Sequence, residues 1–476
     1  MTVGSGRPEA MTRRPLGILM INTADIGGGA ELSAWSLFKE YRKRGHNSSL
    51  VVGWKLRQDA DLDSYITPLP NDACRTAWTK FWIRADRAFV RVAGAGRGAT
   101  RLRSLFGWIG EPRRRLDLAL GYEDFNHPAT WDILNLTEPA DLIHCYNLHG
   151  NYFDLRALPW LSRQRPVILD LRDAWLLSGH CAHSFDCDRW KTGCGRCPDL
   201  NLYPPVARDG TAFNWKRKAE IFSQSRVYVA TPSNWLMQKV EQSMLAPAVI
   251  ESRVIPTGVD LSIFHPCDRS KVRAELQLPE DAAILVFAGY AVRRNVWKDY
   301  ETLRSAIGLL SERLGGRQVL CLAVGDDAPS EQIGGARIIF VPRLKKSEDV
   351  ARYFQAADLY VHAAAADTFP RTVLEALACG TPVVATGVGG IPEQIRSLDS
   401  ASGPGPAKPT GALVPYRDFR AMALAVERFL NDGSLRRRAS ENAAEDARER
   451  FDLVKQADRY LDWYREVVES RNSRRN

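Results

Sequence analysis

Two carboxylates eight residues apart, Asp367 and Glu375, stand in the stretch AAAADTFPRTVLEALACGTPVVATGVGG that runs from Ala363 to Gly390. Residues 359–361 (Leu-Tyr-Val) read as a short buried strand. Pro370 suits a first helical turn, where its missing N–H costs nothing. Residues 372–378 read as a helix that Gly380 stops, and 382–386 as the next buried strand. This alternation puts Asp367 on a loop at the C-terminal edge of a parallel sheet and Glu375 two turns into the helix that follows. The backbone amides at Arg371, Thr372 and Val373 open that helix and suit an anion. A carboxylate by the loop, a phosphate at the helix start and a second carboxylate further in make a reader for a sugar nucleotide.

A second chemical pair lies upstream. Arg293 and Lys298, five apart, follow a strand predicted over 284–288. An arginine fork and a lysine point charge together suit phosphate oxygens, and Arg294 could stand in for Arg293. Near the other end of the chain, Gly27-Gly28-Gly29 sits where a strand at 16–21 turns into a helix at 30–44. Glycine there lets backbone approach a ligand closely, most directly at Gly28 and Gly29.

A third cluster is Cys181, Cys187, Cys194 and Cys197, spaced C-x5-C-x6-C-x2-C. Four thiolates in this span could hold one structural Zn²⁺, with His180 or His183 as a replacement ligand. Such a metal would clip a loop and not do chemistry; the alternative is a set of reduced buried thiols. No catalytic cofactor is called for by any of these residues.

The elements that must position them alternate strand and helix throughout. Further strands are predicted at 48–53, 141–146, 167–171, 227–231, 319–324 and 337–341, a pattern of doubly wound parallel sheets. A linker is placed at about 246–252. The chain divides into an N-terminal domain over 15–248, a C-terminal domain over 253–450 and a terminal helix over 451–468. Residues 75–118 form a basic and aromatic insertion in the first domain. Trp78, Phe81, Trp82, Phe89, Leu102, Leu105, Phe106 and Trp108 stand there among ten arginines and one lysine.

Composition fits two packed domains. The chain has 476 residues, 45% hydrophobic and 25% charged, as ordinary globular proteins do. No run of eighteen apolar residues occurs, which excludes a transmembrane helix by sequence. The apolar stretch near the N-terminus ends early at Asn22 and Asp25, so it reads as a strand and not a signal segment. Nine cysteines, odd in number and mostly scattered, point to a reducing cytoplasm. The net charge of +9 calls for phosphorylated ligands, an anionic membrane surface or nucleic acid.

The 363–390 segment closely resembles the acidic-x7-acidic signature of retaining glycosyltransferases of the GT-B fold, family four. Asp367 stands where that family commonly has Glu, and LEALACGTPVVA follows its pattern almost letter for letter. The resemblance implies two Rossmann-like doubly wound domains facing across a cleft, with the terminal helix returning to the first. It implies a nucleotide-sugar donor whose ribose meets Glu375 and whose sugar lies near Asp367. Arg293 and Lys298 match the family's diphosphate clamp, the glycine loop faces the phosphates, and 256–260 (PTGVD) matches an interdomain segment.

Residues 121–125, 144–153 and 171–181 are similar to bacterial enzymes of exopolysaccharide and lipopolysaccharide synthesis related to colanic-acid transferases. They place Asn147, His149 and Asp173 on the acceptor side of the cleft. That group usually has His-Asp where this chain has Arg172-Asp173. The implied function is a retaining hexosyltransferase acting on a growing, lipid-linked cell-surface saccharide, peripheral on the cytoplasmic face of the inner membrane. Two other classes use parts of the same pattern. A sugar-nucleotide epimerase would keep the donor site without an acceptor. A non-enzymatic nucleic-acid-binding protein would use the charge without the carboxylates.

Overall fold

The computed structural model of the chain describes residues 14–93, 97–400, 403–404 and 408–473. The first thirteen residues and the side chain of Leu102, both part of the sequence reading above, lie outside the described residues. Two seven-stranded sheets form the core. The first contains β1 (Gly17–Ala24), β2 (Asn47–Trp54), β3 (Ile66–Pro68), β4 (Leu142–Cys145), β5 (Val167–Asp170), β6 (Val227–Thr231) and β7 (Val249–Val254), in the order β3-β2-β1-β4-β5-β6-β7. Every pairing in it is parallel.

The second sheet contains β8 (Ala283–Ala288), β9 (Val319–Val324), β10 (Glu331–Ile333), β11 (Ala336–Val341), β12 (Leu359–His362) and β13 (Val383–Thr386). A short ribbon of β14 (Asp399–Ser400) and β15 (Gly403–Pro404) precedes its last strand, β16 (Gly411–Val414). The order is β10-β11-β9-β8-β12-β13-β16, with only the edge strand β10 antiparallel. Central strands such as Ala283-Ile-Leu-Val-Phe-Ala are continuous apolar runs because helices cover both faces.

Each sheet has a topological switch point, between β1 and β4 in the first and between β8 and β12 in the second. Loops diverge at such a switch point and leave a crevice at the carboxyl ends of the strands. The segments that leave these four strands carry the glycine loop, Asn147, Lys298 and Asp367. The predicted α/β architecture of two doubly wound units is thus what the chain forms.

The segment read as a linker around 246–252 folds differently. Residues from Val249 onward form β7, which pairs with β6 as an edge strand of the first sheet. Its Glu251, Ser252 and Arg253 are polar, and an edge position tolerates them. The crossing to the second sheet follows Val254. Between residues 75 and 118 the insertion is helical: Ala77–Ala93, Arg97–Gly110 and Pro112–Ala119. Trp82 stacks on Phe106 with centroids 5.7 Å apart, and Phe89 meets the same ring edge-on, locking the first two helices together. No helix among the described residues is long and apolar enough to cross a membrane.

The last helix, Leu453–Ser473, packs on the first sheet and not on the second. Its Tyr460 hydroxyl donates to Asp170 at 2.8 Å at the end of β5, and Tyr464 bonds His144 of β4 and Tyr41 of the first helix. Asp170 is completely buried, so the Tyr460 bond replaces water that the carboxylate has lost. Tyr460→Phe should therefore lower the unfolding free energy by about 1.5–3 kcal/mol, the range for a hydrogen bond to a charged group. Urea unfolding followed by tryptophan fluorescence measures it; an unchanged midpoint would show that the Tyr460 bond does not hold the helix.

Candidate active site

At the β12 end, the loop from Ala363 to Pro370 is pinned by the segment that follows β8. Asp299 N–H donates to the Ala363 carbonyl, Ala365 N–H donates to the Trp297 carbonyl, and Lys298 bridges Ala364. This ladder brings Lys298 Nζ within 2.9 Å of Asp367 Oδ2. Gly389 closes the other side of the loop. It has φ +58° and a Cβ there would lie 1.8 Å from the Asp367 carbonyl oxygen, so only glycine fits.

His362, the last residue of β12, completes the arrangement and was not singled out from the sequence. Lys298 Nζ lies 3.3 Å from His362 Nε2, and His362 Nδ1 lies 2.7 Å from the Tyr360 hydroxyl, which reaches Thr372 Oγ1 at 2.8 Å. With Nε2 accepting from the ammonium, Nδ1 carries the proton and donates to Tyr360. Burial, aided by the Lys298 charge, pushes the His362 pKa down to about 4 and keeps the ring neutral. Burial also penalises the charge of Asp367, but the Lys298 ammonium outweighs it and holds this carboxyl well below the usual range. The network runs Asp367–Lys298–His362–Tyr360–Thr372, from the loop to the first turn of the next helix. A signal existed in Leu359-Tyr-Val-His362, where two polar rings alternate on one face of a buried strand.

That helix is Arg371–Ala378, with Pro370 as its N-cap. Glu375 lies in its second turn, buried, with Oε1 2.8 Å from Arg371 Nε. Burial raises the Glu375 pKa, against the pull of Arg371. Arg371 Nη1 is buried without a hydrogen-bond partner. The Val373 amide donates to the Pro370 carbonyl at 3.2 Å, so it is already occupied, unlike the expectation that three amides face an anion. The Arg371 and Thr372 amides have no intrahelical acceptor, as at any helix start.

Arg293 turns to Asp326 at the end of β9: its amide donates to Oδ2 at 3.0 Å, and its guanidinium lies over the Phe340 ring. Arg294 is exposed. The first sheet meets this site through the glycine loop. Gly27 accepts from Arg343 at 2.9 Å, and a Cβ on Gly29 would lie 3.8 Å from Arg371 Cβ. The Gly28 amide bonds Glu31, which also receives Asn147 Nδ2 at 3.4 Å. His149 Nε2 lies 2.7 Å from Asp173 Oδ2. Burial disfavours the imidazolium, but the Asp173 carboxylate outweighs it and raises the His149 pKa.

Arg172, the departure from the His-Asp pattern, points away from Asp173. Its guanidinium bonds Asp170 at 2.7 Å and Thr257 of the interdomain segment, and its carbonyl accepts from Thr368 at 2.6 Å.

The cysteine loop packs against the same region: Phe185 stacks on Trp297 with centroids 5.3 Å apart and planes 7° apart. Its four cysteines are free thiols. Cys194 accepts from the Gly179 amide at 3.2 Å, and His180 Nε2 lies 3.3 Å from Cys197. Among the described residues no group of three or more His, Cys, Asp or Glu is placed to hold a metal ion, so the four-thiolate site expected from the spacing is not assembled.

Because His362 stays neutral to about pH 4 when folded and titrates near 6.5 when unfolded, the unfolded chain binds more protons between those values. Stability should rise with pH across that window and fall as acid is added. His127 and His183, pushed by burial to about 4, act in the same direction. His362→Asn should flatten the slope of unfolding free energy against pH by one proton's share; an unaltered slope would contradict the neutral, buried assignment.

Known proteins share parts of this arrangement. Residues 268–446 match the family model described as glycosyl transferases group 1. A D-inositol 3-phosphate glycosyltransferase of Nocardioides sp. is 34% identical over 233 residues, 44% of this chain and 48% of the relative. One from Catenulispora acidiphila is 32% identical over 256 residues, 50% of this chain and 57% of the relative. The chain thus spans about half the length of the curated relatives it matches.

Among solved structures, sucrose-phosphate synthase from Thermosynechococcus elongatus superposes with a TM-score of 0.59 at 19% identity, over 96% of this chain and 100% of that one. Anabaena HepE in complex with UDP-glucose gives 0.59 at 17% identity, over 96% and 100%. At these identities the likeness establishes the fold. Residues 268–446, which carry Lys298, Asp367 and Glu375 beside the switch point of their sheet, are thus similar to the glycosyl transferases group 1 family, and the chain has the GT-B fold.

Proposed function

We propose that the protein is a retaining glycosyltransferase that moves a sugar from a nucleotide-sugar donor to a growing, lipid-linked cell-surface saccharide. The observation that carries this reading is the two ion pairs, Lys298–Asp367 and Arg371–Glu375, flanking one helix start opposite the glycine loop. In this reading the donor diphosphate lies against Lys298, Arg293 and the Arg371 and Thr372 amides. Glu375 accepts from the ribose hydroxyls and Asp367 orients the sugar.

The charge on the leaving diphosphate grows as the glycosidic bond breaks, and fixed cations stabilise it without reorganising. The acceptor hydroxyl attacks from the face the diphosphate leaves, and a phosphate oxygen takes its proton. Asn147, His149 and Asp173 line the acceptor side. Relatives named for inositol 3-phosphate, and a neighbour holding UDP-glucose, support an activated-sugar donor and a phosphate-bearing acceptor. Exposed Trp78 and Phe81 on the insertion suit an anionic membrane surface.

Thermal-shift measurements against UDP-, GDP- and ADP-sugars test the donor assignment, since a ligand of the folded state raises Tm. At least one should stabilise the protein. Glu375→Ala should then weaken that donor by about 10- to 150-fold, corresponding to about 1.5–3 kcal/mol for a charge-assisted contact. Unchanged affinity by calorimetry would remove Glu375 from the site. Lys298→Ala should lower kcat by on the order of 10²–10³ with a smaller effect on donor binding. Wild-type kcat with raised KM would instead assign Lys298 a uniform binding role.

A further inference from the structure

A cavity of about 550 Å³ lies in the N-terminal half between the insertion helix Ala77–Ala93 and the carboxyl edge of the first sheet at β2. Arg75, Lys80, Arg84, Arg87 and Arg114 line it, against a single carboxylate, Asp72. Lys80, Arg84 and Arg87 recur at helical spacing, so one face of that helix is a basic wall.

The charges are unevenly satisfied. Arg87 pairs with Asp72 at 2.6 Å, and Arg114 with Glu111 and Asp124. Arg75 is buried, bonds Glu111 and the Asn126 carbonyl, and its Nε lies 3.7 Å from Asp72. Lys80 and Arg84 have no carboxylate partner among the described residues. A pocket with this surplus attracts a multiply charged anion, and its guanidinium groups suit phosphate oxygens.

Two further observations define the ligand. The loop 147–152 is shared: Asn147 and His149 lie on the cleft side, while Asn151 and Tyr152 form the cavity wall beside Trp54. A phosphate held in the cavity therefore belongs to a molecule that can extend toward the sugar-transfer site. On the outer side, the same helix exposes Trp78 (56%) and Phe81 (59%), and the next helix exposes Leu105 (51%) and Trp108 (40%). An exposed aromatic patch beside a basic pocket fits an amphiphile with an anionic head and an apolar chain.

We propose that this cavity binds the diphosphate of a lipid-linked acceptor, its apolar chain running over the Trp78–Phe81 patch and its saccharide toward His149. The assignment deepens the glycosyltransferase reading and rests on it for the identity of the molecule as acceptor.

Farnesyl diphosphate and inorganic diphosphate serve as probes, titrated calorimetrically into the full chain, into Lys298→Ala and into a Lys80→Gln/Arg84→Gln double variant. Both replaced side chains lie outside the donor machinery, so the double variant should keep the wild-type thermal shift with nucleotide sugar, which also reports that it is folded. Farnesyl diphosphate should bind wild type and Lys298→Ala alike, more tightly than inorganic diphosphate, and should bind the double variant at least about tenfold more weakly. Equal affinity for the two probes would overturn the lipid assignment. Undiminished binding to the double variant would overturn the cavity as the site. If no nucleotide sugar shifts any of the proteins while the double variant still loses farnesyl diphosphate, the donor reading fails and the anionic-lipid site stands.

Discussion

The carboxylate of Asp170 is where three parts of the molecule are tied together. It ends β5 of the first sheet, receives Tyr460 from the returning helix, and pairs with Arg172, whose other amino group bonds Thr257 on the way to the second sheet. Burial penalises the charge of Asp170, but Arg172, His144 and Tyr460 outweigh it and hold the group ionised. Such a pair adds little over an apolar replacement, yet losing one partner typically costs about 3–5 kcal/mol because the other charge is stranded. Its consequence here is geometric. The Arg172 carbonyl accepts from Thr368, next to Asp367, so one residue spans from the first sheet's core to the loop that carries a candidate catalytic acid.

From that anchor the cleft follows. Two switch points face each other, and segments that cannot shift independently carry the charged groups. Arg343 reaches Gly27, and Glu393 accepts the amides of Asn234 and Trp235 at 2.8 Å each, a carboxylate of one half capping a helix of the other. The charges of the site are paired: Lys298 lies against Asp367, and Arg371 against Glu375. A donor diphosphate would take over part of the cations' attention, leaving the carboxylates to the hydroxyls of ribose and sugar.

Much of this was legible in the sequence. The helix before Gly380 and the strands around it are locally consistent, because propensity, period and turn residues agree there. The alternation of strand and helix was enough for two doubly wound units. What escaped depends on register or direction between distant segments. His362 matters only because β12 sets it beside a lysine 64 residues away. Arg172 stands where the similar group has His, and its length lets it turn inward to Asp170. The linker read at about 246–252 overlaps β7, because an edge strand needs few apolar residues. The cysteine spacing suggested zinc, but spacing does not fix where side chains point, and His180 and the Gly179 amide engage two of the sulfurs separately. The basic insertion was visible as composition; that its cations surround a cavity was not, since that depends on how the helix is turned.

The central claim is that the cleft transfers a sugar with its anomeric configuration kept. The direct measurement is proton NMR of the reaction with the α-linked nucleotide sugar that stabilises the protein, reading the coupling constant of the anomeric proton in the new glycosidic bond. The account predicts an α-linked product. A β-linked product would contradict retention, and a changed sugar still attached to its nucleotide, with no new glycoside, would contradict transfer itself.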